Sequence, residues 1–148
     1  MGHIKLSTPI DAPVERVTEI ALDPHHWASW WVNLGEAEKV DGDGGAGTVV
    51  EHSYLMAGVH FAVTTRVVES VQTPTGGKHV RLEFEGPLRG WQTWDYEPSD
   101  GGTLVTVEIE YNVPGKAIGK FADRVLVERL QERAREQTLE NLKLMAES

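Results

Sequence analysis

The stretch IGKFADRVLVERLQERAREQTLENLKLMAE, residues 118–147, decides the fold of this chain. From residue 117 onward it contains no proline and one glycine, Gly119, and its apolar residues recur at helical spacing. At 1.5 Å per residue, a helix over residues 117–147 would be about 45 Å long, enough to cross a small domain. Because one long helix cannot pack flush along a curved sheet, we expect a pocket between the two.

The chain before this helix predicts one strand, two short helices and six further strands. Residues 4–8 alternate between apolar and polar side chains, as in a half-buried strand. Asp11 and Pro13 predict the start of a first helix, and Pro24 opens a second, short one with the sequence HHWASWW. The six strands are predicted over residues 36–40, 48–55, 59–69, 78–85, 91–97 and 103–113. This order predicts a single α+β domain over residues 1–148.

The composition of the 148 residues limits the partners of the chain. Forty per cent of the residues are hydrophobic, which predicts a folded domain. The net charge is −9 and there is no basic stripe, which argues against binding to nucleic acid or to an anionic membrane surface. No run is long and apolar enough to span a bilayer, and the first residues do not have the pattern of a secretory signal. We therefore expect a cytoplasmic protein, either a monomer or a homodimer.

Two patterns that suggest a cofactor site do not fit one. Residues 42–47 match the dinucleotide-binding pattern G-x-G-x-x-G, but the β-branched sequence TVVEHSYL follows where that site requires a helix. These glycines are better explained by a hairpin with positive φ angles. His25 and His26 are adjacent, so they face different sides of a helix and cannot chelate one metal ion together. The sequence predicts no metal and no organic cofactor.

Alternation along the strands assigns the face of the sheet that lines the pocket. Phe84, Trp94 and Tyr111 fall on the inner face, and so do Val50, His52 and Tyr54, because the opposite face of that strand includes Glu51 and Ser53. We expect a pocket of roughly 300–1,000 Å³ on this face.

The long helix and the tryptophan-rich segment supply the rest of the pocket. Apolar periodicity gives the inner stripe of the helix as Leu126, Leu130, Ala134, Leu142 and Met145, with Gln137 near its centre and Arg129 toward one edge. Trp27, Trp30 and Trp31 either fill the bottom of the core or form an aromatic wall of the pocket, and both interpretations stay open.

Four segments together resemble a known superfamily. They are the loop DGDGGAGTVVE, the early helix pair that ends in the tryptophan-rich segment, the Asp-Gly-Gly-Thr hairpin at residues 100–103 and the helix end TLENLKLMAE. The chain resembles the START-related helix-grip superfamily, which includes birch-pollen-type allergens, START domains and abscisic acid receptors. It is most similar to the bacterial polyketide cyclase/dehydrase branch. The resemblance implies a curved antiparallel sheet wrapped on the long helix, and a hydrophobic ligand of polyketide or lipid type.

The resemblance also singles out Arg66. Hydrophobic alternation along residues 59–69 directs Arg66 outward, with Phe61 on the inner face. The segment TTRVV, however, resembles the position where aromatase/cyclases hold an arginine that polarises a polyketide carbonyl, and a β-bulge in this strand would reconcile the two. Against that chemistry, Leu34 stands where those cyclases present a cavity tyrosine.

Two functional hypotheses follow. The chain binds a hydrophobic small molecule as a carrier or sensor, or it is a cyclase/dehydrase that acts on a poly-β-ketone. The enzyme would use Arg66, Tyr54 and Tyr96 as its catalytic residues, with His52 as a further proton shuttle. The predicted ligand-binding residues are Trp27, Trp31, Leu34, Val50, His52, Phe61, Phe84, Trp94, Tyr111, Phe121, Val125, Leu126, Arg129 and Gln137.

Overall fold

The computed structural model describes residues 2–56, 58–112 and 124–148. The strands are β1 (Gly2–Ile10), β2 (Lys39–Asp41), β3 (Val49–Met56), β4 (Val59–Gln72), β5 (Lys78–Glu85), β6 (Arg89–Ser99) and β7 (Gly102–Asn112). The helices are α1 (Val14–Ala21), α2 (Trp27–Trp30) and the long α3 (Arg124–Glu147), and a 3₁₀ turn (Pro24–His26) precedes α2. The predicted order of elements is confirmed. The predicted start of the long helix, residues 117–123, lies outside the described residues.

The seven strands form one antiparallel sheet in the order β1-β7-β6-β5-β4-β3-β2. Strands β2 to β7 pair with their neighbours in sequence, and β1 closes the other edge by pairing with β7 along its whole length. The α1–α2 segment, which connects β1 to β2, therefore spans from one edge of the sheet to the other. It packs against α3, which also contacts β1.

Glycine makes the turn between β2 and β3 possible, as the sequence predicts. Gly42, Gly44 and Gly47 all have positive φ angles, of 129°, 102° and 93°. At Gly44 an added Cβ would lie 2.2 Å from the carbonyl oxygen of Leu22, so the backbone here packs too closely for any side chain. No helix follows this loop, and its glycines serve the turn.

The buried face of α3 differs from the predicted inner stripe. Leu126 and Leu130 are 54% and 46% exposed, so their assignment to that stripe is wrong, whereas Leu142 is fully buried as predicted. The buried side chains of α3 are Val127, Gln131, Ala134, Arg135, Thr138, Leu139, Leu142 and Ala146. Three of these are polar, and apolar periodicity assigns polar residues to the solvent side. That is why the pattern selected the wrong residues in the first half of the helix.

Polar contacts fix the second half of α3. Glu147 accepts hydrogen bonds from the backbone N–H of Asp11, at 2.8 Å, and from Lys143, which also donates to the carbonyl of Pro9. The bond from Lys143 and the bond from the Asp11 backbone hold the pKa of Glu147 below its usual range. Asp11 thus binds the end of α3 through its backbone N–H. It does not cap α1, which begins after Pro13.

No helix in the described part of the chain is long and apolar enough to cross a membrane.

Candidate functional site

A cavity lies between the concave face of the sheet and the first half of α3. Its free volume is about 40 Å³, and the whole space between its walls, including the part open to solvent, is about 460 Å³. The free volume is smaller than the predicted pocket, so the walls would have to move apart to admit an organic molecule. The cavity is lined by Trp31, Leu34, His52, Tyr54, Met56, Val63, Thr65, Phe84, Leu88, Gln92, Ile109, Tyr111, Gln131 and Arg135.

An aromatic cluster forms the floor of this cavity. Trp31 stacks on Trp30 with ring centroids 5.6 Å apart and meets Trp94 edge-on at 5.7 Å. Trp94 in turn stacks on Tyr96 at 6.3 Å. Trp27 and Trp30 are buried in the core and only Trp31 lines the cavity, so both interpretations of the tryptophan-rich segment hold, each for different residues.

Arg135 is a charged residue of the cavity wall. It extends from α3, is 8% exposed, and its guanidinium carbon lies 5.3 Å from the ring centroid of Trp31 and 5.5 Å from that of Tyr54. Its Nη2 donates a long hydrogen bond, 3.4 Å, to the hydroxyl of Tyr54, which donates to Oε1 of Gln131 at 2.8 Å. Its buried Nε and Nη1 have no hydrogen-bond partner among the described residues.

This guanidinium is unusual because no described residue supplies a counter-charge to it. Within residues 2–56, 58–112 and 124–148, no carboxylate forms an ion pair with Arg135. Burial of an ionised group without a partner costs several kcal/mol. The two aromatic rings recover part of that cost through cation–π interactions, and the hydrogen-bonding capacity of Nε and Nη1 is unused within the described residues.

His52 adds a second polar group on the opposite wall. Its Nε2 lies 2.7 Å from Oγ1 of Thr65 on the neighbouring strand. Burial lowers the pKa of His52 from 6.5 to about 4, because the apolar surroundings disfavour the charged imidazolium. The imidazole is therefore neutral at pH 7, and Arg135 is the cation among the described residues that line the cavity.

The fold and this site match a known family. The family model described as "Polyketide cyclase / dehydrase and lipid transport" matches residues 1–147. The chain belongs to this family. No curated protein sequence matches the chain significantly.

Solved structures similar to this member of the polyketide cyclase/dehydrase and lipid transport family confirm the helix-grip fold. A protein from Thermus thermophilus has a TM-score of 0.72 and 21% identity, covering 97% of this chain and 96% of that one. A START superfamily protein from Mycobacterium smegmatis has a TM-score of 0.70 and 14% identity, covering 99% and 98%. The Zhui aromatase/cyclase from Streptomyces sp. R1128 has a TM-score of 0.68 and 20% identity, covering 98% and 93%. At these identities the likeness concerns the fold, and the family supports a ligand-binding or cyclase role.

The structure places Arg66 outside the cavity of this family member. Arg66 pairs with Glu83 in the register of β4 and β5, and its side chain is exposed on the outer face of the sheet. The strand does contain a bulge, but it lies between Val67 and Glu69, after Arg66, and so does not turn Arg66 inward. Alternation predicts this orientation correctly, and a cavity position for Arg66 is wrong.

The other predicted site residues divide into three groups. Six line the cavity: Trp31, Leu34, His52, Tyr54, Phe84 and Tyr111. Five are buried in the core beside it without lining it: Trp27, Val50, Phe61, Trp94 and Tyr96. Val125, Leu126, Arg129 and Gln137 are exposed, so their predicted position on the pocket wall is wrong, and Phe121 lies outside the described residues.

The predicted catalytic use of Tyr96 does not suit its surroundings. Tyr96 is enclosed in the core against Trp94. Burial, with a contribution from the charge of Asp95, raises the pKa of the Tyr96 hydroxyl far above its ordinary value. Of the two predicted catalytic tyrosines, only Tyr54 reaches the cavity.

Two important cavity residues, Gln131 and Arg135, were missed by sequence reasoning. They lie four residues apart on α3 and continue, through Thr138, into the buried positions Leu142 and Ala146. That i, i+4 spacing is a signal in the sequence. It is recognised only if polar residues are allowed on the buried side of a helix.

His52 predicts a pH dependence of stability. Because its folded pKa is depressed, stability is complete above pH 6.5 and falls as the pH drops from 6.5 to about 4, where only the unfolded chain binds the proton. The loss is about 2–3 kcal/mol. Urea unfolding at pH 7.5 and pH 4.5 should show that wild type loses this much more stability than His52→Gln. His60→Gln, at an exposed position, is the control and should lose as much stability as wild type. An identical loss in wild type and His52→Gln would contradict the prediction.

Proposed function

We propose that this protein binds a hydrophobic small molecule, polyketide-like or lipid-like, in the cavity between the sheet and α3. The observation that carries the proposal is the character of the cavity wall: aliphatic and aromatic side chains surround one buried cation with unused donors. A wall of this kind suits an apolar molecule with an oxygen-bearing group. The family description, which includes lipid transport, supports the same class of ligand.

Binding without turnover fits the hydrogen-bonding pattern better than catalysis does. The Tyr54 hydroxyl donates a hydrogen bond to Oε1 of Gln131, and His52 Nε2 is hydrogen-bonded to Oγ1 of Thr65. An aldol cyclisation with dehydration needs a proton donor and a proton acceptor that are free to act at the reacting carbons. Both candidates already have partners within the protein, so we expect a carrier or sensor. We keep its cytoplasmic location and its monomeric or homodimeric state as predictions from the sequence.

A second candidate function is that of a polyketide cyclase/dehydrase. It is favoured by one observation: an imidazole, a phenol and a guanidinium, from His52, Tyr54 and Arg135, line the same cavity. A ligand that displaces Thr65 or Gln131 from these groups would release them for proton transfer. Turnover of a poly-β-ketone surrogate, lost in His52→Gln, would favour this enzyme over the carrier.

Dye binding tests the proposed site. N-phenyl-1-naphthylamine, a neutral apolar dye, should bind with enhanced emission and quench tryptophan fluorescence, because Trp31 lines the cavity. Leu34→Trp, which fills the cavity from a half-buried wall position, should weaken binding by at least about tenfold, as expected when an apolar pocket is blocked. Leu104→Trp, on the exposed face of β7, is the matched control and should bind as wild type does.

Native mass spectrometry of freshly purified protein complements the titration, since a co-purified molecule would reveal its chemical class. A folded wild-type protein that gives no response to the dye, or a Leu34→Trp variant that binds it normally, would contradict binding in this cavity.

A further inference from the structure

We infer that the cavity selects ligands that carry a carboxylate, and that Arg135 is the residue that recognises it. This inference rests on the proposed function and specifies the class of its ligand. It begins from the unused donors of the guanidinium. Nε and both hydrogens of Nη1 have no acceptor in the described part of the chain, and Nη2 makes one long bond, to Tyr54.

The geometry of a carboxylate suits these donors. A guanidinium presents its N–H groups in a planar fork, and the two oxygens of a carboxylate accept two parallel hydrogen bonds from it. A ketone or ester carbonyl offers a single oxygen, and it leaves both the positive charge and part of the donor set uncompensated. The carboxylate is thus the simplest group that satisfies Arg135 in both respects.

The charge of the site also favours a singly charged acid. Arg135 carries the one positive charge among the cavity-lining residues that the structure describes, since His52 is neutral at pH 7. No described carboxylate compensates it. A dianionic phosphate would bring a second negative charge with no cation to meet it, at a high cost in desolvation. The single negative charge of a carboxylate would balance the positive charge of Arg135.

The walls define the rest of the ligand. Trp31 and Tyr54 flank the guanidinium, and Phe84 and Tyr111 lie on the sheet side of the cavity. Aromatic faces stack on flat apolar groups. The free volume of about 40 Å³ requires the walls to move for any such molecule, and a flat or slender body needs the least movement. A narrow apolar acid, either a planar aromatic acid or an unbranched fatty acid, fits this description.

Two pairs of probes separate charge from shape. 2-Naphthoic acid and 2-naphthamide have nearly the same size, and so do decanoic acid and decanamide, but only the acids are ionised at pH 7. Isothermal titration calorimetry with wild-type protein should show that at least one acid binds roughly tenfold to a hundredfold more tightly than its amide, as expected for charge-assisted hydrogen bonds. The pair with the larger difference identifies the aromatic or the aliphatic source.

Arg135→Met removes the charge and keeps much of the volume. In this variant the acid and the amide should bind within about threefold of each other, with the affinity for the amide retained, because only the charge-assisted bonds are lost. Arg133→Met, two residues away on the exposed side of α3, should keep the wild-type preference for the acid. If Arg135→Met does not fold, as judged by circular dichroism, Arg135→Gln replaces it.

The outcomes distinguish this inference from the function on which it rests. Equal affinities of acid and amide for wild type, or a preference for the acid that survives in Arg135→Met, would overturn recognition of a carboxylate by Arg135. With either result, binding of the neutral amides would still support the proposed function. Absence of binding by all four probes to folded wild-type protein would overturn the proposed function as well.

Discussion

Leu142→Asp should unfold this domain or destabilise it by about 4 kcal/mol or more, since it places an unpaired charge in a closed apolar interface. Leu142 is 0% exposed and belongs to the core that joins α3 to the sheet. Its neighbour Leu144 is 59% exposed, so Leu144→Asp, with the same chemical change on the same helix, should alter stability by less than about 1 kcal/mol. Thermal unfolding followed by circular dichroism measures both.

A third substitution distinguishes the observed face of α3 from the one that hydrophobicity predicts. The apolar pattern places Leu130 on the same inner stripe as Leu142 and predicts similarly large effects for Leu130→Asp and Leu142→Asp. Leu130 is 46% exposed in the structure, so its replacement should cost less than that of Leu142. If Leu142→Asp melts at the wild-type temperature, or if Leu130→Asp is the more damaging of the two, α3 does not dock as described.

Trp94→Ala should cost about 3–5 kcal/mol, the range typical of a large aromatic side chain removed from a core. Trp94 is 2% exposed and contacts Trp30, Trp31 and Tyr96, so its loss leaves a void beneath the floor of the cavity. The measurement is the free energy of unfolding from urea titration, read by circular dichroism so that the signal does not depend on the tryptophan removed.

Trp91 on the same strand is the matched control. It is half-buried on the outer face, where Arg81 lies over its ring at 4.8 Å. Its removal costs an exposed cation–π contact and some packing, so Trp91→Ala should lose roughly 1 kcal/mol. A larger loss for Trp91→Ala than for Trp94→Ala would show that the inner and outer faces of β6 have been interchanged, and equal losses would contradict the burial of Trp94 described above.

The sheet was predictable from sequence because each strand carries two different faces. Val80, Leu82 and Phe84 alternate with charged residues, and a shift by one position would bury those charges. The structure confirms the inner face on every one of the longer strands. Arg66 illustrates the strength of this signal, since alternation places it correctly where resemblance to cyclases would have placed it inside the cavity.

The helix was less predictable because its buried side is not purely apolar. Gln131, Arg135 and Thr138 occupy buried positions and find partners on distant segments: Tyr54 for the first two, and the backbone N–H of Val32 for Thr138. Such partners are more than seventy residues away in sequence, so no local pattern reveals them. Arg135, the essential residue of the candidate site, was therefore missed, although four of the nine described strand residues that line the same cavity were identified: His52, Tyr54, Phe84 and Tyr111.

The two halves of α3 have different roles, and this affects how the sequence of such a domain can change during evolution. Thr138, Asn141, Lys143 and Glu147 attach the second half to the first forty residues of the chain through backbone groups, which are present whatever the side chains there become. Gln131 and Arg135 meet the cavity one to two turns earlier. Under the function proposed above, substitutions at these two positions would alter which molecule is accepted while the attachment of the second half of the helix stays intact. A lineage of such domains is therefore free to adopt new ligands without first having to acquire a more stable fold.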